Sequence, residues 1–144
     1  MKALGFSIII SFLLIFSCES QNDVGTNKDD STFTPISVFE DAFANKRSNI
    51  QVKQSGDIVA VLADDNNGAR HQRLIVKLSN DQTLLISHNI DLAPRVVNPV
   101  KGNRLTFYGE YGWNSKGGVI HWTHKDPNAS HINGWLEYDG KIYQ

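Results

Sequence analysis

The sequence predicts a mainly β domain with one N-terminal helix, and three observations carry that prediction. After residue 50 the chain holds five segments of strand length with alternating or continuous apolar residues. Clusters of turn-forming residues separate them: Asp64-Asp65-Asn66-Asn67-Gly68, Ser79-Asn80-Asp81 and Asn114-Ser115-Lys116-Gly117-Gly118. One long connection, 91–103, carries Pro94, Pro99 and Gly102 and follows the third segment. Five strands interrupted once in this way fit a small closed β-barrel of the OB type. A hairpin around Asp139-Gly140 follows it.

The chain opens with Met1-Lys2 and then an apolar run from Leu4 to Phe16. That run is short for a membrane-spanning helix, which needs about 20 residues, and it fits the apolar core of a signal peptide over 1–17. Ile15-Phe16-Ser17-Cys18 resembles a bacterial lipobox, although Phe16 is bulkier than the usual residue there. The resemblance implies cleavage before Cys18 and lipid on that cysteine. The expected partner is then a membrane, and the expected location the bacterial cell envelope, facing the periplasm or the exterior. Residues 18–34 hold one large aliphatic residue, Val24, and read as a flexible tether.

Thr34 and Pro35 suit the start of a helix, and Val38, Phe39, Ala42 and Phe43 recur at helical spacing. A helix over 35–47 is expected, with Glu40 and Asp41 early and Lys46 and Arg47 late, matching the helix dipole. The domain proper is expected over 50–144. Its strands are read at Asp57–Ala63, Gln72–Leu78, Thr83–Asn89, Arg104–Tyr111 and Val119–His124, with the hairpin at Trp135–Tyr138 and Lys141–Tyr143. The expected core is Leu74, Val76, Leu84, Ile86, Leu105, Phe107, Ile120 and Trp122.

Charge and cysteine content narrow the function. Lys and Arg number 14 and Asp and Glu 15, a net charge of −1 that does not favour nucleic acid as a partner. The single cysteine precludes an internal disulfide and a cysteine-based zinc knuckle. Serine-nucleophile elbows, Walker loops and dinucleotide fingerprints are absent.

The densest set of reactive side chains lies in Gly117-Gly118-Val119-Ile120-His121-Trp122-Thr123-His124-Lys125-Asp126-Pro127. His71-Gln72-Arg73 and His88-Asn89-Ile90-Asp91 are the other polar groups of the β region. Counting outward from the Ser79-Asn80-Asp81 turn places His71 and Gln72 across from His88 and Asn89. One polar pocket is therefore expected from His71, His88 and His124, with Asp91 or Asp126 beside them. His121 joins them only if the strand breaks near Thr123, since residues three apart on a strand face opposite ways. Binding candidates are His71, His88, Asn89, Asp91, Arg95, Trp113 and Trp122. A divalent metal such as zinc would draw on His71, His88, His121 and His124. Asp126 and Glu110 are the acid/base candidates of a metal-dependent hydrolase of the phosphodiesterase or nuclease kind. Asp64-Asp65 with the Asn residues after it offers oxygen ligands for calcium but reads better as a solvated loop. Asn89-Ile90-Asp91 with Arg95 would clamp an anion or order the connection.

Together His71-Gln72-Arg73, the run His88 to Arg95, Tyr108-Gly109-Glu110-Tyr111, Trp113-Asn114, Gly117 to Pro127 and Gly134-Trp135 resemble an uncharacterised bacterial family of small exported domains. The resemblance covers roughly 50–144 and implies no particular activity. The sequence reading as a whole is an exported, lipid-anchored binding or interaction module for a small ligand or envelope component, with the metal-dependent hydrolase as its alternative.

Overall fold

A computed structural model describes residues 32–144. The signal segment 1–17, Cys18 and most of the tether lie outside the described residues. The elements run α1 (Ile36–Ala44), β1 (Ile50–Asp65), β2 (His71–Lys77), β3 (Thr83–Asn89), β4 (Arg104–Gly112), β5 (Val119–His121), β6 (Trp135–Tyr138) and β7 (Lys141–Tyr143). The sheet order is β1-β2-β3-β5-β4-β6-β7, and β1 also pairs with β4. Five strands thus close a ring, β1-β2-β3-β5-β4 and back to β1. The β3–β5 pair is parallel, and the β6–β7 hairpin extends the sheet from β4.

The ring closes because β1 is longer than the sequence pattern shows. Its first half, Ile50 to Asp57, pairs with β4, and its second half, from Asp57 to Asp65, pairs with β2. Asp57 is the crossing point, opposite both Arg104 and Lys77. Gly56 permits the crossing, since a Cβ there would stand 2.9 Å from the Lys77 carbonyl oxygen. Alternation in Ile50–Gly56 is obscured by polar Gln51, Lys53, Gln54 and Ser55, so the segment does not read as a strand in isolation.

Leu74, Val76, Leu84, Ile86, Leu105, Phe107 and Ile120 are fully buried, as alternation predicts. Each such side chain gains about 1.5–3 kcal/mol on leaving water. Phe39 of α1 joins them, edge-on to Phe107 at 6.4 Å and to Tyr111 at 6.2 Å. Trp122 does not: it is 37 % exposed.

The helix is shorter than the expected 35–47 span. Lys46 at φ 53° ends it, and Pro35 rather than Thr34 stands at its N-cap. Thr34 is instead held on β1, its Oγ1 accepting the Lys53 N–H at 2.9 Å. No acid lies in the first turn and no base in the last. Asp41 accepts from Asn45 and Arg47, so the charges cap the C-terminal end locally. Phe43 leaves the apolar stripe for the surface, while its carbonyl accepts the Trp113 indole N–H.

The long connection is pinned from inside the ring. The Gln72 amide donates to the Val96 carbonyl at 3.0 Å and accepts the Val96 N–H at 2.9 Å, so a buried side chain imitates a strand neighbour.

Candidate functional site

Strand β5 ends at His121, and Trp122 takes φ +53°. A bulky residue in the left-handed region is strained and cuts the strand's alternation. The break turns Thr123 inward, fully buried, and brings His121 and His124 to the same cavity instead of opposite faces.

Beyond His124 the chain is shaped by one carboxylate. Asp126 Oδ1 accepts the Asn128 N–H at 2.9 Å, and Oδ2 accepts the His131 N–H at 2.7 Å, the Ser130 hydroxyl at 2.7 Å and the Ser130 N–H. These bonds hold its carboxyl well below the usual carboxylate range. The loop they fold carries His131 back over Trp122, where the rings stack at 4.6 Å and 8°. Gly134 closes the loop by donating its N–H to the His124 carbonyl at 2.9 Å. A Cβ at Gly134 would lie 2.0 Å from the Trp122 carbonyl oxygen, which explains the glycine before Trp135.

The result is a polar cavity of about 300 Å³, bordered by His71, Asn89, His121, Trp122, His124 and His131. Ser87, Asn128 and Ser130 add polar groups, and Leu92 and Pro127 apolar ones. Three of the imidazoles share one arrangement. Nδ1–H donates to a nearby backbone carbonyl: Ala69 for His71 at 2.8 Å, Lys125 for His124 at 2.7 Å and Ile132 for His131 at 2.8 Å. In the neutral ring this fixes the tautomer and leaves Nε2 as a lone pair. The Gln51 amide nitrogen is the one buried side-chain polar atom without a partner among the described residues. The three Nε2 atoms make no hydrogen bond among the described residues, and all three residues border the cavity.

His121 is arranged differently. It faces Glu110 across the β4–β5 pair, with Nε2 3.3 Å from Oε1. Burial pushes its pKa down, and the Glu110 carboxylate opposes that push.

The register places His71 opposite Asn89 and Gln72 opposite His88, as the turn count predicts. His71, His124 and Asp126 border the cavity together, and His121 joins them through the break at Trp122. His88 is corrected. It lies fully buried behind the cavity wall, donating from Nε2 to the Pro94 carbonyl at 3.0 Å and accepting the Thr123 hydroxyl at Nδ1 at 2.8 Å. Desolvation pushes its pKa down to about 4. Asp91 and Arg95 are also outside the cavity. Asp91 accepts the Arg70 N–H and guanidinium, which lowers its pKa, and Arg95 pairs with Asp64. They order the connection rather than clamp an anion, and the pairing ties up Asp64, half of the calcium candidate. Trp113 packs by α1, its ring 5.5 Å from the Lys46 ammonium.

Among the described residues no three His, Cys, Asp or Glu side chains stand where they could hold one metal ion. The expected grouping of histidines as zinc ligands is therefore not present: His88 has both ring nitrogens engaged, and His121 is turned to Glu110. Asp126 is likewise occupied as a loop organiser. The sequence reading passed over His131, Ser87, Asn128 and Ser130. The available signal was the Asp-Pro-Asn turn, whose aspartate binds amides two to five residues on and so folds His131 back toward His124.

A family model described as "Protein of unknown function (DUF3465)" matches residues 26–144, so the matched span also includes α1. No curated protein and no solved structure matches the chain.

Proposed function

Because the chain belongs to that family, whose description names no activity, its function must be read from the cavity, and we propose that it is a binding module for a small polar ligand. The observation that carries this is the set of imidazoles of His71, His124 and His131 at one cavity, each with Nδ1 committed to a backbone carbonyl and Nε2 in no hydrogen bond among the described residues. Each ring is oriented by its own carbonyl bond. Preorganised polar groups in a concave, partly apolar site are what a small-molecule site requires. Titrating the full chain with a panel of sugars, amino acids and inorganic phosphate, followed by amide and imidazole NMR, tests the reading. Saturable shifts confined to these histidines and Trp122 support it. Shifts centred on another face, or none from any probe, refute it.

We place the module at the bacterial cell envelope, held by lipid on Cys18. The support is sequence alone: the apolar run Leu4 to Phe16 and the Ile15-Phe16-Ser17-Cys18 boundary. Cys18→Ser should leave the precursor unprocessed or release the protein from membranes. Unchanged maturation with unchanged membrane attachment would exclude the lipid.

A second reading, proton-transfer catalysis, is favoured by the His121–Glu110 pair alone. A carboxylate that accepts the Nε2 proton leaves Nδ1 as the basic nitrogen, the arrangement of an oriented general base. This reading needs no metal.

A further inference from the structure

We propose that the ligand is a neutral, hydroxyl-rich ring of the saccharide class, an inference that rests on the binding reading above and sharpens it. No lysine or arginine borders the cavity, while the Asp126 carboxylate does. A phosphate or carboxylate would be desolvated there without a permanent countercharge, which is unfavourable.

What the cavity offers is hydrogen-bond acceptors. With Nδ1–H committed to carbonyls, the Nε2 atoms of His71, His124 and His131 accept and do not donate while the rings are neutral. His131 Nε2 stands 4.0 Å from Asp126 Oδ2 on a side chain only 6 % exposed, so His71 and His124 are the acceptors on which the inference rests. Asn89, which borders the cavity, accepts the Asp91 N–H at its side-chain Oδ1 at 2.9 Å, so its Nδ2 group is the part left to donate. Several acceptors beside a few donors match hydroxyl groups, each of which gives one hydrogen and accepts another.

The apolar part of the wall fits the same class. Leu92 and Pro127 offer the C–H-compatible surface that a ring's unsubstituted face covers, while the Trp122 ring is itself stacked with His131. A cavity of about 300 Å³ lies at the small end of ligand sites, so it takes one or two rings and not a long chain.

The test is imidazole nitrogen NMR and calorimetry on the full chain, with glucose, N-acetylglucosamine, inorganic phosphate and Zn²⁺ as separate probes. The expected result is saturable binding of at least one sugar, with Nε2 shifts at His71 and His124. His71→Phe, at a half-buried strand end, should weaken binding about 3–10-fold, the worth of one hydrogen bond. His124→Phe should do the same. Because His124 is buried, His71→Phe carries the test if that variant does not fold. Phosphate or Zn²⁺ binding at these histidines without sugar binding overturns the saccharide class and leaves the binding reading standing. Silence from all four probes overturns both.

Discussion

His88 and Thr123 meet at 2.8 Å, imidazole Nδ1 to hydroxyl, with both residues fully buried. The contact fastens β3 to the segment beyond the strained Trp122 and gives the cavity a rigid back wall. It also places a titratable ring in the interior.

Stability should therefore fall in mild acid. The folded state holds the His88 pKa down at about 4 against 6.5 for the free ring. The unfolded chain takes up its proton first. The neutral ring's contribution is complete above about pH 6.5, is lost as pH falls toward about 4, and is flat below that. The span corresponds to at most about 3 kcal/mol. The His121 pKa, also lowered, adds a loss of the same sign. Urea unfolding across this range measures it. His88→Gln keeps a donor and an acceptor without titrating, so its profile should be flatter than that of the parent chain. An equally steep profile would place the acid sensitivity elsewhere.

At Trp122 the backbone and the side chain pull in opposite directions. The φ of +53° suits glycine, whereas the ring stacks with His131 and lies 4.8 Å from His121. Alanine loses the ring and keeps the strain, and glycine loses both. Trp122→Gly should therefore be more stable than Trp122→Ala by about 1 kcal/mol, read from urea midpoints. The reverse order would mean that this backbone geometry carries no cost.

These two residues show what the sequence made legible. Period-two alternation located β2, β3 and β4 to within a residue, because each has one face on the core and obeys it throughout. It overran β5 by three residues, because nothing local in Val-Ile-His-Trp-Thr-His announces a left-handed residue. Unbroken alternation therefore puts Trp122 in the core and joins His121 to His124 only on condition of a break. The β2–β3 register followed from a short turn, whose geometry leaves little freedom. The position of His131 is not legible because it depends on Asp126 folding the loop between β5 and β6, a tertiary effect with a faint local signal. His88 and Asp91 were misplaced for a different reason: a polar residue at a strand end reads the same whether it meets a ligand or a carbonyl of its own chain.

Glu110 should tune His121. The carboxylate raises the His121 pKa against the larger lowering caused by burial. Glu110→Gln removes the negative charge and keeps a hydrogen-bond acceptor, so the His121 pKa should fall further. Imidazole NMR titration reads the change directly. An unchanged or higher value would mean that the 3.3 Å pair is not formed in solution.

Asp126 should control the loop without controlling the fold. Its bonds reach Asn128, Ser130 and His131, all within the segment after β5, and none reaches the five-strand ring. Asp126→Ala removes every acceptor at once. Amide exchange at Ser130 and His131 should then quicken, while Leu74 and Ile86, buried in the β2–β3 ladder, keep their protection. With the loop released, His131 leaves the face of Trp122, and the indole fluorescence should change with it. Trp122→Phe identifies that part of the signal among the three tryptophans. Loss of protection at Leu74 and Ile86 along with the loop would make Asp126 a residue of the fold. Unaltered exchange at Ser130 and His131 would mean that backbone closure, through the Gly134 bond to the His124 carbonyl, suffices to hold the loop.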